Sequence, residues 1–111
     1  MLRMTLQVQL VLRTLHDDPH REVYGLEFVD ATGLPPGTIY PILARLEAAG
    51  WIDSRWEEID QHAEGRPRRR YYRLTSDGAT TAATALDATA ARRRRRHARG
   101  TVGEVLPGGA S

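Results

Sequence analysis

Five arginines stand within eight residues in the stretch "GRPRRRYYRLT", residues 65–75, with two tyrosines and no acid among them. A guanidinium is a planar fork of donors that keeps its charge at any physiological pH, and it grips phosphates or guanine edges two bonds at a time. A second run, "RRRRRHAR" at 92–99, adds six more. Outside these patches five arginines face all 14 acids of the 111-residue chain, so the net charge of +2 conceals an acidic body with two basic regions. All 16 basic residues are arginine; a GC-rich coding bias accounts for arginine over lysine, but not for its clustering. Clusters of this kind suit a polyanion, the alternative being a hairpin tip that is merely solvated.

Other chemistries have less to stand on. The chain has no cysteine, which excludes disulfides and thiolate zinc sites. His16, Asp17, Asp18 and His20 form a cluster of metal-ligand types, but at a spacing that matches no known motif and in a stretch that a polar loop explains equally well. No metal is expected, with His16 and His20 as weak candidates, and no cofactor. No Ser-His-Asp set, phosphate loop or paired-carboxylate arrangement stands out, so an enzyme is not expected. No apolar run reaches the roughly 18 residues of a membrane span, and the N-terminus lacks the order of a signal peptide. The expectation is a cytoplasmic chain with no membrane partner.

The elements that must carry the arginines follow from periodicity. Val8, Val11, Leu12 and Leu15 recur at helical spacing from roughly Thr5 to Leu15, and Pro19 breaks the pattern. Leu2, Leu6 and Leu10 form a second stripe, almost opposite. A second helix is predicted from Arg21 to about Ala31, closed by "ATGLPPG". A third begins near Thr38, with Thr38 as N-cap, Pro41 in the first turn and Ile39, Ile42, Leu43 and Leu46 as the buried stripe; Gly50 stops it. "WIDSRWEEI" and "RRRYYRLT" then alternate as two antiparallel strands, joined by a long polar, basic tip. Thr75 or Ser76 caps a last helix that runs into the second arginine cluster, and "GTVGEVLPGGAS" reads as a frayed tail. The fold class is mainly α with a small β-hairpin: a winged helix-turn-helix over 1–75, a C-terminal dimerisation helix over 76–98 and a flexible tail over 99–111.

"VYGLEFVDATGLPPGTIYPILARLEAAGWIDSRWEE" followed by "GRPRRRYYRLTSDG" resembles the PadR family of bacterial transcriptional regulators, over roughly residues 8–80. The resemblance rests on "YG", on "GT-x-YP-x-L-x-RLE-x-x-G" and on "R-x-YYRLT-x-x-G". It implies a dimeric, repressor-type protein that binds a palindromic operator in double-stranded DNA and releases it on a signal, in the short subgroup with one C-terminal helix. The third helix then enters the major groove and the hairpin is the wing.

Candidate DNA-binding residues are accordingly Pro36, Gly37, Thr38, Tyr40, Pro41 and Arg45 of the third helix, with its free N-terminal N–H groups, and Arg66, Arg68, Arg69 and Arg70 of the wing. Arg45 has an equal structural reading as an ion-pair partner of Glu47 or Glu22. Tyr71, Tyr72, Trp51 and Trp56 are expected to pack the wing. Between Ala79 and Ala91 the last helix has Leu86 as its one large apolar residue. Dimerisation is therefore expected to use Leu2, Leu6 and Leu10 against the partner's last helix at Ala79, Ala83, Leu86 and Ala90. The competing readings are a module whose basic wing binds an acidic protein, and a sensor for a small-molecule effector or metal at the dimer interface; the sequence names no effector.

Overall fold

In the computed structural model the described residues are 2–105, with side chains through residue 98. The chain runs α1 (Leu6–His16), β1 (Val23–Tyr24), α2 (Gly25–Thr32), α3 (Pro36–Ala48), β2 (Ile52–Trp56), α4 (Gln61–Glu64), β3 (Arg70–Leu74) and α5 (Ser76–Val105). Three helices followed by an antiparallel sheet of order β1-β3-β2 make a winged helix. Val8, Val11, Leu12 and Leu15 of α1 meet Phe28 of α2 and Ile39, Ile42, Leu43 and Leu46 of α3 in one buried core, closed by Ile52 and Leu74 of the sheet. Both stripes expected from periodicity thus face inward, each large side chain contributing about 1.5–3 kcal/mol by leaving water.

Several boundaries differ from the sequence reading, each for a physical reason. Thr5 is the N-cap of α1, its hydroxyl accepting from the Val8 N–H at 3.2 Å. Leu2 lies before the helix and packs on the core, so Leu2, Leu6 and Leu10 do not form one helical stripe. The expected helix from Arg21 instead opens with a strand: Val23 and Tyr24 pair with Tyr72 and Tyr71, which makes the sheet three-stranded rather than a hairpin. Helix α2 starts only at Gly25, with the Tyr24 N–H held by the Glu27 carboxylate at 3.1 Å.

Helix α3 starts at Pro36, two residues before Thr38, because the Pro35 carbonyl accepts from Thr38 at 2.9 Å and Ile39 at 3.1 Å. Thr38 is not the cap, and Pro41 lies inside the helix, where its missing N–H leaves the Gly37 carbonyl without an intrahelical donor. Gly50 follows the helix with φ of 81°, a left-handed turn that favours glycine. The wing tip contains the short helix α4, capped by Asp60, which the polar composition of the loop did not reveal.

Helix α5 is fastened at its root. The Trp51 carbonyl accepts from the Thr75 N–H at 3.0 Å, and the Thr75 hydroxyl accepts from Gly78 N–H at 2.8 Å as the helix cap. Gly78 lies so close to the Trp51 carbonyl that a methyl there would collide with it. Farther along, Ala82 and Leu86 enter the chain's own core, and Arg93 donates to the buried Gln9 of α1 at 3.0 Å. Leu86, expected to face a partner, is therefore sealed by its own α1. The helix continues through the arginines to Val105, seven residues past the expected end at 98. Of the expected tail, residues 106–111 lie outside the described residues.

Candidate nucleic-acid interface

The first turn of α3 is exposed and sparsely furnished. Pro36, Gly37, Tyr40, Pro41 and Arg45 face solvent and Thr38 is half-buried. Pro36 has no N–H, and the N–H groups of Thr38 and Ile39 are committed to Pro35, so the expected row of free donors reduces to Gly37. Nothing in the chain lies within 4 Å of where a Gly37 side chain would begin, and its φ is not in the left-handed range. The fold therefore does not require glycine there. Gly25 is the opposite case: the Tyr40 ring lies directly over it and leaves no space for a methyl group. The "YG" step thus seats Tyr40, whose ring is held at the start of α2 while 47% of the residue remains exposed.

Arg45 pairs with neither acid expected of it. Glu47 accepts from the Ser54 hydroxyl at 2.7 Å, and Glu22 receives two bonds from Arg55, at 2.6 and 2.8 Å. Arg45 instead lines a cleft of about 310 Å³ with Gly37, Thr38 and Pro41 of α3 and Thr5 and Gln7 of α1. Those two α1 residues carry no charge or motif that would single them out in the sequence.

The wing arginines divide by partner. Arg66 is clamped to Glu57 by two bonds, at 2.7 and 3.0 Å, and Glu57 also accepts the Arg69 N–H at 3.2 Å. The Arg66 hydrogen bond, reinforced by that backbone donor, holds the Glu57 carboxyl at about 2, and Glu57 in turn raises Arg66. Arg70 donates to Ser54 at 3.1 Å and lies 3.7 Å from Glu47, stacked over the Trp56 ring at 5.2 Å. Arg69 stacks over Tyr24 at 4.2 Å. The exposed Arg68 guanidinium has no hydrogen bond or ion pair among the described residues. Charge available to a polyanion is therefore concentrated on Arg68 and Arg69, and Arg66 acts as a staple.

Tyr71 and Tyr72 pack the wing as expected. Tyr72 is buried edge-on to Phe28 at 6.1 Å, and burial raises its hydroxyl pKa; Tyr71 meets Tyr24 edge-on at 5.8 Å. Trp56 does not pack: it is 54% exposed and, with Tyr40 and Arg68–Arg70, borders a cavity between α3 and the wing. Among the described residues no group of three or more His, Cys, Asp or Glu side chains is placed to hold a metal ion, and His16 and His20 form no site.

The arrangement has relatives among solved structures. A PadR family transcription regulator from Clostridium difficile superimposes with a TM-score of 0.60 at 23% identity, covering 92% of this chain and 99% of that one. A PadR family regulator from Eggerthella lenta gives 0.58 at 27%, covering 89% and 80%. The S. aureus MepR–DNA complex gives 0.62 at 14%, covering 93% and 78%, a likeness of fold alone. No curated protein matches the chain significantly. The model of the transcriptional regulator PadR-like family matches residues 11–84, two thirds of the sequence, spanning α1, the wing and the root of α5. The chain is a DNA-binding regulator of the winged-helix type and belongs to the PadR-like family of transcriptional regulators.

Proposed function

We propose that the chain acts as a dimeric repressor that binds a palindromic operator, with the N-terminal half of α3 in the major groove and the wing on the flanking backbone. The observation that carries this reading is the shared open face of Gly37, Tyr40 and Arg68: a bare helix end and an unpaired guanidinium, neither needed by the fold. Phosphate contacts from the wing supply affinity and register, while Tyr40, Thr38 and Arg45 contact or border the bases. Two such faces read a palindrome when a two-fold axis sets them about one helical turn apart.

That axis is proposed to lie along α1 and α5. Leu6 is 64% exposed on α1, and Leu2 and Met4 border a groove against Thr84, Ala88 and Thr89 of α5. With Leu86 taken into its own core, the partner's contacts fall on Leu6, Leu10, Ala83 and Ala90, with Ala79 packed mainly on the core of its own chain.

Fragments of genomic DNA selected by the protein at moderate salt, followed by footprinting, test the function. The expected result is protection of two inverted half-sites. Protection without dyad symmetry would overturn the palindrome, and no sequence-dependent protection would favour an acidic protein as the wing's partner.

A further inference from the structure

The cavity between α2, α3 and the wing has the volume of a small-molecule site, about 570 Å³. Its floor is unusual for a surface that meets only DNA. Of four large hydrophobic side chains that the described residues expose, Leu26, Tyr40 and Trp56 all border it. Phosphates and sugars gain little from an exposed leucine and an indole face, and a contiguous apolar patch of this kind in a monomer marks a binding surface. Its rim is cationic: Arg69 stacks on the Tyr24 ring and Arg70 on Trp56, so ring-to-guanidinium contacts are already the local packing mode. Arg66 and Arg70 have carboxylates nearby, which leaves Arg68 with an unmatched charge at the edge.

We propose that this cavity binds a planar aromatic anion, its ring lying on Leu26, Tyr40 and Trp56 beneath the stacked guanidiniums and its anionic group on Arg68. Because Tyr40 and Arg68 also belong to the face assigned to DNA, occupancy excludes DNA; this second half rests on the function proposed above. The occupant is set by charge complementarity: a neutral ring leaves Arg68 unmatched, and an anion without a ring leaves the apolar floor in water.

Isothermal titration calorimetry with 2-naphthoate tests the site directly, with neutral 2-naphthylmethanol as the control. Saturable binding of one naphthoate per chain is expected, weakened about tenfold or more by Trp56→Ala, by Arg68→Ala and by removal of the probe's charge. Both side chains are exposed, and circular dichroism verifies the fold of each variant. Absence of saturable binding, or equal binding by the Trp56 variant or the neutral alcohol, overturns the site. Titration in the presence of a selected genomic fragment then tests exclusion. Loss of naphthoate binding upholds it; unchanged binding to the DNA complex overturns it while leaving the site standing. A protein that binds DNA but not naphthoate refutes the site and leaves the DNA reading intact.

Discussion

Replacing Gly37 with alanine separates the fold from DNA binding at a single methyl group. The added carbon meets nothing within 4 Å, the backbone is not left-handed, and the site is the second residue of a 13-residue helix. Stability should therefore hold or rise, by up to about 1 kcal/mol, because alanine restricts the unfolded chain and favours the helix. On DNA the same methyl stands between the phosphate and the Gly37 N–H, the one donor of the first turn not used by Pro35. A hydrogen bond to a charged oxygen is worth about 1.5–3 kcal/mol, so each half-site should weaken about tenfold or more. Urea unfolding gives the first quantity, and fluorescence anisotropy on a selected duplex gives the second. Loss of stability would mean that α3 needs glycine for its own geometry. Unchanged affinity would place the first turn away from the phosphates and refute the docking.

Three further outcomes follow from the same geometry. Arg68→Ala should flatten the salt dependence of binding by about 0.9 per protomer, on operator and random DNA alike, whereas Arg66→Ala should first speed amide exchange in the wing tip, since its charge is matched by Glu57. An unchanged salt slope for the Arg68 variant would take that side chain off the backbone. Glu57 has a folded value of about 2 against an ordinary 4.5, so its pairing stabilises the fold above about pH 4.5 and is lost as pH falls toward 2. Glu57→Gln should remove that part of the acid sensitivity, read as urea midpoints between pH 3 and 6. Leu6→Asp with Leu10→Asp should give a folded monomer that no longer protects the operator, seen by sedimentation and circular dichroism; a variant that stays dimeric would overturn the α1 interface.

The helical core was legible because Val8, Val11, Leu12, Leu15 and Ile39, Ile42, Leu43, Leu46 repeat at the period of the element that buries them. Strand β1 was not, since Val23 and Tyr24 adjoin an apolar helix and owe their conformation to Tyr72 and Tyr71, almost fifty residues away. The start of α3 was misplaced because Thr38 is a good cap by type, while the Pro35 carbonyl decides the matter. The wing's basic character was plain from composition. Which arginine remains free was not, because that depends on Glu57 and Glu47 reaching across from β2 and α3. Leu86 was read as an interface residue from the poverty of α5, and the fold uses it at home.

The tight seat of Gly78 on the Trp51 carbonyl, with Thr75 bonded across the same joint, makes the base of α5 mechanically stiff. A 30-residue helix is about 45 Å long, so one degree of tilt at that base moves its far end by about 0.8 Å. Trp51 and Thr75 adjoin the two strands of the wing directly, and there is no slack between them and the helix in which a tilt could be absorbed. Displacement anywhere along α5 is thus geared down into a small, obligatory rotation of the wing, as in a crank with a short throw, and Gly78 is the bearing that sets the ratio.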